Sequence, residues 1–282
     1  MKEEIIVSLT TWKPRIQNLP IVLDTIYSQT VMPDKVVLNL SYDEEIPENI
    51  QEYIDYHKIE VNFVPNTKVC EKFIPTLLKY PQACVINIDD DCIFPSSMIE
   101  DFMNTHKRYP QFPISGNKVV LFGMQCHCGC ASLTKYEYFG DCLNYIDEEV
   151  MSNCTSSDMV YTYVALKNNH PYICSKEIYY ENVILNDLEF APYSKQQRDR
   201  ENSAIKTFNY LIGRFGKLKS PVLDYLKVSD EYFYSLINHQ YEMNNKSAIQ
   251  KQCAIDKIYS SHAYRLGRAI LFPLKWMFAK KK

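Results

Sequence analysis

The first hundred residues alternate between two hydrophobic rhythms. Glu4–Leu9, Lys35–Leu40, Ile59–Val64 and Val85–Ile88 are short runs dominated by β-branched and other apolar residues, the pattern of buried strands. Between them the apolar positions fall at helical spacing. Leu19, Val22, Leu23, Ile26 and Tyr27 form one stripe across Ile16–Gln29, Pro47–Tyr56 forms a short helix, and Glu71–Tyr80 another with Phe73, Leu77 and Leu78 inward. A fourth helix is predicted over Pro95–Arg108, with proline near its first turn, where the missing N–H costs nothing. Alternation of this kind predicts an α/β fold with a mostly parallel sheet flanked by helices and right-handed crossovers.

The second part of the chain is less regular. Phe112–Leu133 reads as strand-like and irregular. Met159–Leu166 is a helix that Ser156 or Ser157 caps, with Asp158 in the first turn near the positive helix end. Lys167–Pro171 ends it. Asn186–Gln197 is polar and is expected to be a loop over the ligand edge. Beyond about residue 195 the α/β rhythm fades into helical segments at Arg198–Phe215, Pro221–Asn238 and Ala248–Ile258. The expected organisation is an α/β domain over residues 1–195 and a helical extension over 196–282.

The fourth apolar run ends in Asp89-Asp90-Asp91. Three adjacent carboxylates repel one another unless a cation or strong donors sit among them. They fall at the C-terminal end of a strand, the edge at which open α/β sheets bind ligands. If the extended geometry continues, Asp89 and Asp91 share one side. Hard oxygen ligands suit Mg²⁺ or Mn²⁺, with diphosphate oxygens completing the shell. The three carboxylates permit two ligating frames, which the sequence leaves open.

Charge adds two constraints. The formal net charge of −3 argues against a general nucleic-acid binder. The exception to that balance is the C-terminal stretch, where Arg265, Arg268, Lys275, Lys280, Lys281 and Lys282 occur with no acidic residue from His262 onward. Leu266, Ile270, Pro273, Leu274 and Met277 fall on one helical face, and Trp276 and Phe278 add interfacial aromatics. This pattern predicts a bent helix on an anionic membrane surface, the bend at Pro273.

The 10 cysteines are scattered without compact disulfide spacing. The chain opens Met1-Lys2-Glu3-Glu4 without a signal-peptide core, and no stretch approaches the ~20 apolar residues of a membrane span. A cytoplasmic protein with reduced thiols, peripheral on the inner face of the plasma membrane, is expected. Cys126-His127-Cys128-Gly129-Cys130 is a possible metal motif. Alternate cysteines on a strand stand ~6.6 Å apart, and structural zinc wants four ligands. Small buried packing residues are therefore expected there. With only 7 glycines and no Gly-x-Gly-x-x-Gly or Walker loop, phosphate is not held by a glycine cradle.

Four segments together carry a family resemblance. They are Ser8-Leu9-Thr10-Thr11-Trp12-Lys13-Pro14-Arg15, Gln29–Leu38, Lys72–Pro81 followed by Asp89-Asp90-Asp91 and Pro95, and Ser157-Asp158 with its helix. In this order the chain resembles bacterial nucleotide-sugar glycosyltransferases of the GT-A fold, of the kind that build capsule, lipopolysaccharide or other surface glycans. The resemblance covers about the first 170 residues. It implies a GT-A-like catalytic domain and metal-assisted transfer from a nucleotide diphosphate sugar to a glycan or lipid-linked acceptor. In that family frame Thr10, Thr11 and Asp43 hold base and ribose, and Lys72 and Arg15 approach the diphosphate. Asp89, Asp90 and Asp91 bind Mn²⁺ or Mg²⁺, Asp89 and Asp90 also meet the donor, and Asp158 takes the acceptor's proton if the reaction inverts the anomeric centre. Two other classes remain in view. A nucleotidyltransferase uses a related sheet but usually a glycine-rich loop, which Thr10–Arg15 lacks. A non-catalytic membrane-peripheral protein would have no need of the four carboxylates.

Overall fold

The computed structural model describes residues 3–66, 70–117, 120–121, 124–127, 130–174, 183–184 and 197–216. The expected α/β architecture is present. β1 (Ile5–Thr10), α1 (Leu19–Tyr27), β2 (Lys35–Ser41), α2 (Glu48–His57), β3 (Glu60–Val64), α3 (Ile74–Lys79) and β4 (Cys84–Ile88) follow one another in the order read from the sequence. They are followed by β5 (Cys92–Ile93), α4 (Met98–Arg108), β6 (Ile114–Ser115), β7 (Val120–Leu121), β8 (Met124–Gln125) and β9 (Ala131–Thr134). The main sheet has the order β3-β2-β1-β4-β9-β6. β1 to β4 pair in parallel, whereas β9 runs antiparallel to both β4 and β6. The irregular stretch thus supplies the antiparallel part of a mostly parallel sheet.

β1 lies between β2 and β4, so both its faces are covered and its apolar residues are continuous. Ile6, Val7, Leu9, Val37, Leu38, Val85 and Ile86 are fully buried. The helices differ from expectation at their starts. Ile16–Asn18 is a 3-10 turn before α1, and α3 begins at Ile74 with Pro75 in its first turn. Phe73 and Leu77 are buried as expected, but Leu78 is exposed. α4 begins at Met98, three residues past Pro95.

After β9 come α5 (Tyr136–Phe139), α6 (Glu148–Asn153), α7 (Ser157–Lys167), β10 (Val183–Ile184) and α8 (Gln197–Phe215). The Tyr163 hydroxyl on α7 donates to the Gly216 carbonyl at 2.8 Å, and Lys167 Nζ to that of Phe215 at 2.9 Å, which seats α8 on α7. The expected domain boundary near residue 195, most of the expected 186–197 loop, the helices at 221–238 and 248–258, and the basic tail all lie outside the described residues. Among the described residues no helix is long and apolar enough to cross a membrane.

Candidate functional site

The C-terminal ends of β1, β2 and β4 lie along one edge of the sheet, because these strands are parallel. Beyond β1 the chain turns tightly, with the Arg15 and Ile16 amides donating to the Trp12 carbonyl at 2.8 and 3.0 Å. The Lys13 amide donates to Glu44 Oε2 at 2.9 Å, tying this turn to the loop after β2. Arg15 is thereby carried back over the end of β4.

Regular strand pairing stops at Ile88. Asp90 turns inward. Its Oδ2 accepts from Thr11 Oγ1 at 2.7 Å and its Oδ1 pairs with Arg15 NH1 at 2.8 Å. The same guanidinium nitrogen reaches Asp91 Oδ2 at 2.7 Å. Asp89 pairs instead with Lys72 Nζ. Three carboxylates therefore share two cations. Burial, opposed by Lys72 and reinforced by Asp91, leaves the Asp89 carboxyl raised to about 6. Burial raises Asp90 as well, against Arg15 and Thr11. Lys72 is held above its ordinary range: burial works against its charge, but Asp89 and then Asp158 outweigh it.

Lys72 is placed by a polar network inside the sheet. Its carbonyl accepts from Ser8 Oγ at 2.8 Å and Asn39 Nδ2 at 3.3 Å. Ser8, Asn39 and Thr76 bond one another at 2.7 to 3.1 Å. All three are buried, so each polar group needs a partner inside the protein, and together they fix the segment that presents Lys72.

The donor set suits a hard divalent cation. The cluster carries more negative charge than its two cations cancel, and its ligating atoms are carboxylate oxygens. Asp90 has both oxygens engaged by Thr11 and Arg15. Asp89 and Asp91, with side chains 25% and 16% exposed, are the pair turned toward the edge. The thiols of Cys92 and Cys130 lie beside Asp89, the three ligand atoms within 4.8 Å of one another.

A fourth carboxylate reaches the same edge from α7. Asp158 sits in the first turn as expected; Ser156 is the N-cap residue, but its side chain makes no capping bond. Asp158 Oδ1 lies 2.9 Å from Nδ1 of His127. The His127 ring is fully buried, and burial lowers its pKa, with Asp158 opposing. His127 Nε2 faces Ser132 Oγ at 2.8 Å and Asn87 Oδ1 at 3.4 Å. Asn87 is on β4, two residues before Asp89, so the strand that leads into the aspartate cluster also contacts the His127 ring.

The sequence did not single out His127 beyond its cysteine-rich surroundings. The structure divides that motif. Cys126 is a buried packing residue as expected, His127 faces Asp158, Cys130 lies beside Asp89, and Cys128 is outside the described residues. No local spacing pairs His127 with a residue 31 positions away. Thr11, expected on base and ribose, donates its hydroxyl to Asp90. Lys72 and Arg15 meet the aspartates rather than open space. Thr10 Oγ1 is buried without a partner, and Asp43 is exposed just past β2. Trp12 and Tyr42, 44% and 70% exposed, stand at the tips of the neighbouring strands β1 and β2. An aromatic residue just past each strand end was the available signal for them.

No family model matches the sequence, and no curated protein sequence matches it. Solved structures do. The mannosyltransferase PcManGT from Pyrobaculum calidifontis, in complex with GDP-Man and Mn²⁺, aligns over 94% of this chain and 83% of its own, with TM-score 0.60 and 14% identity. S. aureus TarS 1-349 in complex with UDP aligns over 63% of this chain and 59% of its own, with TM-score 0.46 and 11% identity. A 4-diphosphocytidyl-2C-methyl-D-erythritol synthase aligns over 63% and 92%, with TM-score 0.43 and 12% identity. The first likeness shows the fold, a GT-A-like sheet flanked by helices. The other two are too loose to carry an argument.

Proposed function

We propose that this protein is a metal-assisted glycosyltransferase. It would move a sugar from a nucleoside diphosphate sugar to a hydroxyl of a glycan or lipid-linked acceptor. The observation that carries this reading is one sheet edge bearing a carboxylate cluster threaded with two cations and, separately, a carboxylate at a helix start. Asp89 and Asp91 would hold Mn²⁺ or Mg²⁺, with Asp90 keeping Arg15 in place. The bound cation would offset the charge that develops on the departing diphosphate. Lys72 and Arg15 are placed to exchange part of their carboxylate contact for diphosphate oxygens. Trp12 and Tyr42 offer flat faces to the base, beside Thr10 and Asp43. Asp158 would accept the proton of the attacking hydroxyl, a weak nucleophile until that proton is removed. A nucleotidyltransferase would need a cradle for a triphosphate, and Thr10–Arg15 contains no glycine.

The test is calorimetric titration of the full chain with GDP, UDP, CDP and dTDP, with and without Mn²⁺. Binding of one nucleoside diphosphate that Mn²⁺ strengthens and a chelator reverses is the expected result. Failure of all four to bind a folded sample would overturn the reading. The surface-glycan setting rests on the basic, aromatic C-terminal sequence, in which each basic residue contributes ~1 kcal/mol near an anionic leaflet. Deleting residues 264–282 should release the protein from phosphatidylglycerol vesicles in co-sedimentation; undiminished pelleting would show that the tail is not the anchor.

A further inference from the structure

Behind Asp158 lies a buried polar chain that the proposed reaction has not yet used. The His127 ring is wedged among aromatic rings: Phe73 stacks at 5.9 Å, while Tyr161 and Tyr172 meet it edge-on at 5.1 and 5.3 Å. It cannot turn without displacing them. The carboxylate of Asp158 only accepts hydrogen bonds when ionised, so the ring nitrogen facing it, Nδ1, carries the proton. Burial keeps the imidazole neutral, which makes Nε2 an acceptor.

Nε2 then requires a donor, and Ser132 Oγ is 2.8 Å away. Ser132 has one proton, and Asn87 Oδ1 also contacts its oxygen. Asn87 Nδ2, meanwhile, is buried with no partner. Exchanging the amide's oxygen and nitrogen, a choice its shape leaves to the hydrogen bonds, sets the donor against Ser132 Oγ. The chain then runs one way, from Asn87 through Ser132 and His127 to Asp158. A second tie runs beside it. The His127 amide donates to Thr162 Oγ1 at 2.9 Å, and Thr162 Oγ1 donates to the Asp158 carbonyl at 2.6 Å.

We propose that His127 is a positioning residue for Asp158: held from behind by Ser132 and Asn87, it donates Nδ1–H to Oδ1 and fixes the aim of the carboxylate. The proposal rests on the reading of Asp158 as the base. An aspartate in a first helical turn, with its side chain 35% exposed, has several χ1 rotamers open to it. A charge-assisted bond to a buried ring favours one of them. In the reaction the acceptor O–H bond breaks and the proton goes to Asp158. The acceptor oxygen bonds to the anomeric carbon, and the nucleoside diphosphate leaves with the bonding pair. His127 keeps its proton throughout.

The test has two arms, both on the full chain. Long-range ¹H–¹⁵N correlation of histidine-labelled protein reads the tautomer directly. The expected result is an Nδ1-protonated ring whose signals move in Asp158→Asn. Kinetics use a panel of hexose derivatives of the nucleoside diphosphate that the titrations identify, with water as acceptor and release of the nucleoside diphosphate as signal. His127→Phe keeps a ring but no donor, and should lower kcat ~10²-fold with donor KM unchanged, the size of loss that misplacing a reacting group produces. His127→Asn returns an N–H close to the position of Nδ1 and should recover most of that rate. An Nε2-protonated ring, wild-type kcat in His127→Phe, or equal loss in both variants would overturn the proposal. If Asp158→Asn abolishes turnover while His127→Phe does not, only the positioning role falls. If Asp158→Asn itself turns over normally, the base assignment falls and takes the positioning role with it.

Discussion

Replacing Asp89 and Asp91 together with asparagine should remove the metal dependence of donor binding and cut transfer by at least ~10³-fold. That loss corresponds to about 4 kcal/mol, within the several kcal/mol a bound cation supplies to a departing phosphoryl group. The charge balance defines the readout. Three carboxylates now share Lys72 and Arg15; with two neutralised, the cluster has more cation than carboxylate. A nucleoside diphosphate can therefore still bind the variant, but Mn²⁺ should no longer strengthen that binding. Asp90 is kept in the test variant because it holds both Thr11 and Arg15. Removing it leaves a guanidinium that is only 16% exposed with one partner fewer, a change that costs stability rather than reporting on metal. Calorimetry with and without Mn²⁺, alongside thermal unfolding, separates these effects. Mn²⁺-strengthened binding retained in a folded double variant would sink the metal assignment.

Asp158→Asn should lower kcat by ~10²–10⁴-fold, the range that a positioned general base contributes, while leaving Mn²⁺-dependent nucleotide binding intact. The amide has nearly the same shape and still offers an oxygen to His127 Nδ1–H. Packing around the buried ring is therefore preserved, and the change is confined to proton acceptance. Lys72 loses the weaker of its two carboxylate influences and keeps its direct pair with Asp89, so its place at the edge is unaffected. Single-turnover rates measured beside nucleotide titrations distinguish the cases. Loss of nucleotide binding at an undiminished turnover rate would place Asp158 in donor recognition instead.

The local rhythm of the chain determined the fold's framework. Each strand and helix through α4, apart from the two-residue β5, was legible because burial of one stripe or one run imposes a period, and the period is written in consecutive residues. Errors there were confined to helix starts, where Pro75 and Pro95 sit within or just before the first turn, and to Leu78, which lies on the outer face. The aspartate cluster was legible for a related reason: a short apolar run ending in carboxylates places them at the edge where parallel strands end, whatever the rest of the chain does. The partners of those carboxylates were not legible. Arg15 reaches Asp91 across 76 positions, Lys72 reaches Asp89 across 17, and His127 reaches Asp158 across 31. Nothing in a local pattern encodes such meetings. They depend on β1 lying beside β4, on β9 turning antiparallel so that its start adjoins the end of β4, and on α7 beginning there. The sequence determined which residue types the sheet edge carries. Only the tertiary structure decided that Asp90 is engaged by Thr11 and Arg15 and that a buried imidazole stands behind Asp158, because long-range pairing sets which charges share a low-dielectric space and which keep contact with water.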